Sequence, residues 1–225
     1  MARAPERPPL TASGAAGAPG LEPARPVTQR GRDTQDRLVA AATEVFAQKR
    51  YDEARITEIT ARAGVATGSF YTYYPSKEAL FRVVAQGALE EMFRAPRTDP
   101  DNHDGNPVRD IAYASREYFL ACRRHRRIAQ SIELVRAGDD QIRRNRRDTL
   151  LRSAKRIERW IRRLQQTGIC DSRIDPWYTA LALQAMNVNI AYDQLVHRDD
   201  FEKIDALVDA VTPIWARAVG LEAWL

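Results

Sequence analysis

The sequence predicts an all-α protein of about nine helices, with a small N-terminal domain and a larger C-terminal one. Apolar side chains recur at intervals of three and four residues from Asp33 almost to the end of the chain. No stretch shows the strict alternation of polar and apolar residues that a half-buried strand requires. Glycines, prolines and capping residues divide the periodic stretches into helix-sized segments. Together these observations indicate packed helices around a continuous core.

Composition narrows the function classes. The 225 residues can form one or two domains with a substantial core. No apolar run approaches the roughly 18–20 residues of a membrane span, and no secretory signal is recognisable, so we expect a cytoplasmic protein with no membrane partner. The two cysteines, Cys122 and Cys170, fit no metal or redox spacing. We therefore expect no metal and no cofactor.

Residues 1–31 are rich in proline, alanine, glycine and arginine and lack helical periodicity. Such a segment buries too little apolar surface to offset its ordering entropy, and we expect it to be disordered. It is either a solvated leader or an arm that contacts DNA through Arg25, Arg30 and Arg32.

The first two helices form the base of the N-terminal domain. An apolar stripe from Leu38 to Phe46 predicts a helix from Asp33 to about Lys49. A shorter stripe over 56–63 predicts a second helix, which Gly64 ends because a left-handed residue without a Cβ is favoured there.

The third helix is predicted from Ala66 or Thr67 to Tyr73, with Phe70 and Tyr74 packing inward. Pro75 ends this helix. Ser76 is a suitable N-cap for a long fourth helix that reaches about Phe93.

A loop over 95–107 separates these helices from the rest of the chain, which shows helical periodicity to its end. Apolar positions of the fifth to ninth helices begin at Ile111, Ile128, Leu150, Trp177 and Phe201, respectively.

The second and third helices have the character of a DNA-binding helix-turn-helix. Thr67 and Ser69 are short enough for close approach, and their hydroxyls can bond base edges. Gly68 has no side chain, which allows the backbone at this position to approach a phosphate closely. Phenolic and ammonium groups suited to phosphate oxygens follow at Tyr71, Tyr73 and Lys77.

Over residues 33–81 the chain resembles the TetR (tetracycline-repressor) family of transcription regulators. The resemblance is carried by Ile59, Ala63-Gly64-Val65, Gly68-Ser69-Phe70-Tyr71 and Tyr74-Pro75-Ser76-Lys77-Glu78-Ala79-Leu80. It implies a helix-turn-helix domain over 32–80 and an effector-binding and dimerisation domain over 81–225. It further implies a homodimer that binds double-stranded operator DNA and is released by a small molecule.

Three positions depart from the family pattern. Thr60 replaces the usual alanine, and Arg55 replaces a capping Thr or Ser, although Arg55 can bind phosphate instead. Ala66-Thr67 replaces a frequent Ser-Lys, which removes one cation from the recognition helix. Residues 33–80 hold six Lys and Arg against seven Asp and Glu, so charge alone does not indicate nucleic acid.

In the C-terminal domain, the resemblance implies a pocket and a dimer interface. Five side chains on or beside apolar helix faces are candidates for an effector pocket: Tyr118, Cys122, Ile132, Trp160 and Asn187. The broad apolar faces of the eighth and ninth helices are candidates for the dimer interface. The effector's identity is open, although the lining favours a hydrophobic molecule.

The seventh helix concentrates basic side chains. Residues 139–168 hold ten Lys and Arg against four Asp and Glu. This surface is a solvated face paired with the acidic C-terminal helices, a second nucleic-acid surface, or a clamp for a phosphorylated effector. We favour the first of the three.

No pattern indicates catalysis, since none of the three histidines has a spaced carboxylate, cysteine or serine partner. We therefore predict a ligand-responsive repressor that is not an enzyme. The alternatives are a constitutive or architectural DNA-binding protein without an effector and, with less support, an all-α enzyme or interaction module.

Overall fold

A computed structural model describes residue 26 and residues 28–94, 101–198 and 203–225. The described residues are helical and contain no strand, which confirms the predicted fold class. None of the described helices is long and apolar enough to cross a membrane. Most of the predicted N-terminal tail, including Arg25, and the first part of the predicted 95–107 loop lie outside the described residues, as does Phe201.

Nine α-helices follow one another along the described chain: α1 (Gln29–Gln48), α2 (Ile56–Ala63), α3 (Thr67–Tyr73), α4 (Lys77–Met92), α5 (Pro107–Arg124), α6 (Arg126–Val135), α7 (Asp140–Gln166), α8 (Pro176–Ala191) and α9 (Ile204–Val219). A π-helical segment (Tyr192–His197) continues α8, and a short 3₁₀ helix (Glu222–Trp224) ends the chain.

Helices α1, α2 and α3 pack together at the N-terminal end, and α2 and α3 are the two helices of the helix-turn-helix. Helix α1 packs against α2 and α4, and α2 packs against α3. Phe70 and Tyr74 are buried as predicted, at 0% and 1% exposure. Gly64 has φ +63° and ends α2 as predicted, while Val65 N–H donates to Thr60 O at 2.9 Å.

The remaining helices pack into a larger bundle. Helix α5 packs mainly against α9, and α7 packs against α8. Helix α4 contacts α1 at one side and α5, α6 and α7 at the other, so it connects the helix-turn-helix to the bundle.

Two predicted boundaries are wrong. Helix α1 begins at Gln29 instead of Asp33 because the Thr28 side chain accepts a hydrogen bond from Gly31 N–H and caps the helix four residues earlier. Arg30 and Arg32 therefore lie in α1. The apolar positions from Trp177 to Leu195 predict that α8 includes Leu195, but α8 ends at Ala191 and Leu195 lies in the π-helical segment.

Candidate DNA-binding site and effector cavity

Helix α3 presents a face of small and phenolic polar groups to solvent. Thr67, Gly68 and Ser69 are exposed, and Tyr71 is 58% exposed. Phe70 anchors the opposite face in the core, and its ring meets that of Tyr71 edge-on at 5.3 Å between centroids. Helix α3 is thus held in the core through Phe70 and exposed on its opposite face.

Tyr73 and Arg55 lie at the edges of this face. The Tyr73 side chain is half-buried. Arg55 precedes α2 and is exposed, and its guanidinium does not cap that helix. The backbone N–H of Arg55 instead donates to the Glu58 carboxylate at 3.5 Å. The Arg55 side chain is therefore exposed and is not used to cap α2.

A chain of hydroxyls links α2 to the first turn of α3. Thr60 is buried, and its hydroxyl donates to Thr57 O at 3.2 Å. Its oxygen lies 3.1 Å from that of Thr67. A hydroxyl carries one hydrogen, so with the Thr60 hydrogen on Thr57 O, Thr67 is the donor in this second contact. The exposed hydroxyl of Thr67 can then accept a hydrogen bond from another molecule but has no hydrogen left to donate.

Lys77 has a different environment from the one predicted. Its Nζ donates to Tyr51 O at 2.8 Å and to Ala54 O at 2.9 Å, and it lies 4.5 Å from the centroid of the Tyr51 ring. The ammonium group therefore joins the start of α4 to the segment between α1 and α2. Two of its three donors are engaged within the protein, so its contribution to phosphate attraction is smaller than the sequence indicates.

A cavity of about 570 Å³ lies in the larger bundle. This volume falls in the range of small-molecule sites, roughly 300–1,000 Å³. Its lining comes from the end of α4 and from α5, α7, α8 and α9: Met92, Phe93, Arg94, Asp110, Ile111, Ala114, Ser115, Tyr118, Ser153, Arg156, Ile157, Arg159, Trp160, Arg163, Gln184, Asn187, Val188 and Trp215.

Three of the five predicted pocket residues reach this cavity: Tyr118, Trp160 and Asn187. The other two, Cys122 and Ile132, are fully buried and lie outside the lining of this cavity. Burial raises the pKa of the Cys122 thiol to about 12, so this cysteine remains a neutral packing group.

Polar groups inside the cavity are held in fixed orientations. Trp215 Nε1 donates to Asn187 Oδ1 at 3.1 Å, and Asn187 Nδ2 donates to Ser115 Oγ at 3.4 Å. Gln184 Nε2 donates to Leu150 O at 3.1 Å. Hydrogen-bonded polar side chains therefore connect α5, α8 and α9 across the buried wall of the cavity.

Residues 38–84 match the family model of bacterial regulatory proteins of the TetR family. The N-terminal domain of this chain is thus a TetR-family domain. The HTH-type transcriptional repressor DhaR of Mycobacterium sp. is 33% identical over 84 residues, which are 37% of this chain and 40% of that protein. The A-factor receptor protein of Streptomyces griseus is 31% identical over 94 residues, 42% of this chain and 32% of the receptor. The matched region thus spans well under half of these curated relatives.

Solved structures resemble the chain over a larger part of its length. A putative TetR-family regulator from Rhodococcus sp. aligns with a TM-score of 0.66 at 14% identity, covering 84% of this chain and 99% of that one. The fatty acid degradation regulator FadR from Bacillus halodurans aligns with a TM-score of 0.62 at 17% identity, covering 81% and 94%. At such low identities these similarities establish the fold alone.

Two groups of residues were not predicted from the sequence. Tyr51 organises the contact with Lys77: its hydroxyl donates to Glu78 at 2.8 Å, and its N–H donates to Ser131 Oγ of α6 at 3.3 Å. The arginines of the cavity form the second group, because the sequence placed those of α7 only in a basic surface whose role as an effector clamp was not favoured. Their signal was the spacing of Arg156, Trp160 and Arg163, which places them near one face of α7.

Proposed function

We propose that the chain is a transcription regulator that binds operator DNA through α3 and is released from it by a small effector. The observation that carries the proposal is the polar, exposed face of α3, which the buried Phe70 anchors on a three-helix base. An α-helix of this kind fits the major groove, where side chains contact base edges and neighbouring groups contact phosphates. The names of two relatives, a transcriptional repressor and a receptor protein, support a repressor that responds to a ligand.

Seven residues form the proposed DNA-binding surface: Arg55, Thr67, Gly68, Ser69, Tyr71, Tyr73 and Lys77. Thr67 and Ser69 would contact bases, whereas Arg55, Tyr71 and Tyr73 would contact phosphates. Lys77 would act mainly by holding the Tyr51 segment in place.

Helix α4 is the proposed connection between effector and DNA. Its first residue, Lys77, holds the helix-turn-helix, and its last turn, at Met92, reaches the cavity. The proposed domain boundary near residue 80 therefore falls inside α4, with 32–80 as the DNA-binding unit and 81–225 as the effector unit. A ligand that shifts the end of α4 would move the recognition helices, and a coupling of about 1–3 kcal/mol suffices for such a switch.

We propose a homodimer through α8 and α9. Tyr178 of α8 is 69% exposed and Ile214 of α9 is 48% exposed, which places large apolar side chains on the outside of helices that otherwise pack in the core. A self-complementary interface would cover both. Ile214→Glu should give a monomer in analytical ultracentrifugation, while a dimeric variant would contradict this interface.

The deciding experiment is selection of genomic DNA fragments by the purified protein, followed by a screen for compounds that release them. We expect enrichment of a pseudo-palindromic site, because a twofold dimer places two recognition helices on successive major grooves. Ser69→Trp, which adds bulk to the exposed face of α3, should abolish enrichment. If wild type and this variant enrich the same fragments equally, α3 is not the DNA-binding element.

A further inference from the structure

The cavity has an unusual charge for an apolar pocket. Four arginines line it, at positions 94, 156, 159 and 163, and Asp110 is the one carboxylate among its lining residues. Arginine stays protonated in proteins, so the lining carries a net positive charge at neutral pH. A purely hydrophobic effector would make no favourable electrostatic contact with these arginines.

Neighbouring carboxylates do not neutralise these arginines. Within the described part of the chain, none of the four forms an ion pair with an aspartate or glutamate. Other basic residues of α7 do have such partners: Arg143 pairs with Asp140, Arg146 with Glu133 and Arg162 with Glu158. These three pairs lie within α6 and α7 and do not involve the four arginines of the cavity.

Arg156 is the most enclosed of the four. It is half-buried, and its Nη2 donates to the backbone oxygen of Phe93 at the end of α4. Burial lowers its pKa below the ordinary value, and the nearby guanidinium groups of Arg159 and Arg152 act in the same direction. An anion beside Arg156 would stabilise the charged guanidinium and so oppose both of these effects on its pKa.

The cavity has a charged end and an apolar end. Arg94, Arg159 and Arg163 are exposed and so lie at its rim, whereas Ser115, Asn187 and Trp215 are buried at its inner wall. The polar atoms of that inner wall are already bonded to one another. The inner end is therefore suited to an apolar body, and the rim is suited to a charged head.

We propose that this cavity binds an amphipathic anion, with its carboxylate or phosphate held by Arg156 and the rim arginines and its apolar body against Trp160 and Trp215. This assignment rests on the proposed function and specifies the chemical class of its effector. Guanidinium groups favour both head groups because their planar forks donate paired hydrogen bonds to either oxyanion.

The test is calorimetric titration of the full-length, DNA-free protein with three probes that share one alkyl chain: decanoate, decyl phosphate and decanol. We expect at least one anion to bind about tenfold or more tightly than decanol, the effect of a charge-assisted hydrogen bond. The stronger of the two anions identifies the head group. Equal binding of decanol and both anions, or no binding of any probe, would overturn the proposal.

Variants locate the anion. Arg156→Gln should reduce anion affinity about tenfold and leave decanol binding unchanged. Arg159→Gln, at an exposed position that does not hold the fold, should give a smaller loss in the same direction. Arg147→Gln makes the same charge change on an exposed part of α7 outside the cavity and should alter neither. If Arg156→Gln and Arg159→Gln both match Arg147→Gln, the arginines do not bind the head group.

These titrations contain no DNA, so their outcome is independent of operator recognition. A protein that binds decanoate but no DNA would contradict the proposed regulator and leave the cavity assignment intact. A protein that binds its operator but does not distinguish decanoate from decanol would contradict only the cavity assignment.

Discussion

The Thr60 hydroxyl oxygen lies 3.1 Å from that of Thr67 and connects the buried side of α2 to the exposed first turn of α3. Thr60 occupies a position where the resembled family usually has alanine. Its own hydrogen goes to Thr57 O, which leaves Thr67 as the donor between the two threonines. In this arrangement the buried Thr60 determines whether the exposed hydroxyl of Thr67 is free to donate.

We predict that Thr60→Val alters operator preference without unfolding the protein. Valine has nearly the same shape as threonine but offers no acceptor, so Thr67 becomes free to donate. Wild type should favour an amino-bearing base, adenine or cytosine, at the position that Thr67 contacts. The variant should also accept guanine or thymine there. Selection from a randomised DNA library measures this preference.

Thr67→Val is the matched control, since it removes the exposed hydroxyl itself and should abolish preference at that position in either background. Identical base preferences for wild type and Thr60→Val would show that the buried hydroxyl does not set the role of Thr67.

Much of the helix-turn-helix could be predicted from the sequence because its determinants are local. The bounds of α2 and α3 follow from an apolar stripe, the left-handed Gly64 and Pro75, all within a few residues of the boundaries they set. The start of α1 was missed because its cap, Thr28, lies in a proline-rich stretch that resembles a tail. The π-helical end of α8 carries no comparable local signal.

The sites were predicted less completely because they depend on contacts between distant residues. The carbonyls that bind Lys77 belong to residues 51 and 54, and a backbone carbonyl has no signature in the sequence. The choice among candidate pocket residues depends on the rotation of each helix in the bundle. A small rotation separates Tyr118, which lines the cavity, from Cys122 one turn further along α5.

We predict that Lys77→Met destabilises the protein rather than only weakening DNA binding. The substitution keeps the aliphatic length but leaves the carbonyls of Tyr51 and Ala54 without their donor. The expected loss is about 1–3 kcal/mol in the free energy of unfolding, measured by denaturant titration. Arg55→Gln, a charge change at an exposed position nearby, should leave this free energy unchanged. Equal stability of Lys77→Met and wild type would contradict the structural role of Lys77.

We predict that Arg55 and Tyr71 contact phosphates in distinguishable ways. Arg55→Gln should weaken operator binding and reduce the slope of log affinity against log salt by about one, because one fewer counterion is released. Tyr71→Phe should weaken binding about three- to tenfold with the slope unchanged, because a neutral hydrogen bond is lost. Fluorescence anisotropy over a salt series measures both. Arg144→Gln, on α7, is the control, and a slope change equal to that of Arg55→Gln would contradict the assignment of Arg55.

Asp139 should make part of the stability depend on pH. Its Oδ1 accepts from the N–H groups of Gln141 and Ile142 at the start of α7, and its Oδ2 accepts from Arg82 Nε of α4 at 2.7 Å. Burial alone would raise the pKa of this carboxyl, but the Ile142 N–H and the Arg82 guanidinium outweigh burial and lower it below its ordinary value. The stabilisation is therefore fully present above the unfolded-state pKa of about 3.9 and is lost as pH falls through the lower folded-state pKa.

We predict that Asp139→Asn, which keeps an acceptor for the helix cap, lowers the free energy of unfolding by about 1.5–3 kcal/mol at neutral pH through the weakened bond to Arg82. The difference from wild type should shrink below about pH 4 as the wild-type carboxylate gains its proton. Thermal unfolding from pH 7 to pH 3 measures it. Asp140→Asn, at the exposed neighbouring position, should show no such convergence. A difference between Asp139→Asn and wild type that stays constant across this range would mean that the charge of Asp139 does not stabilise the junction of α4 and α7.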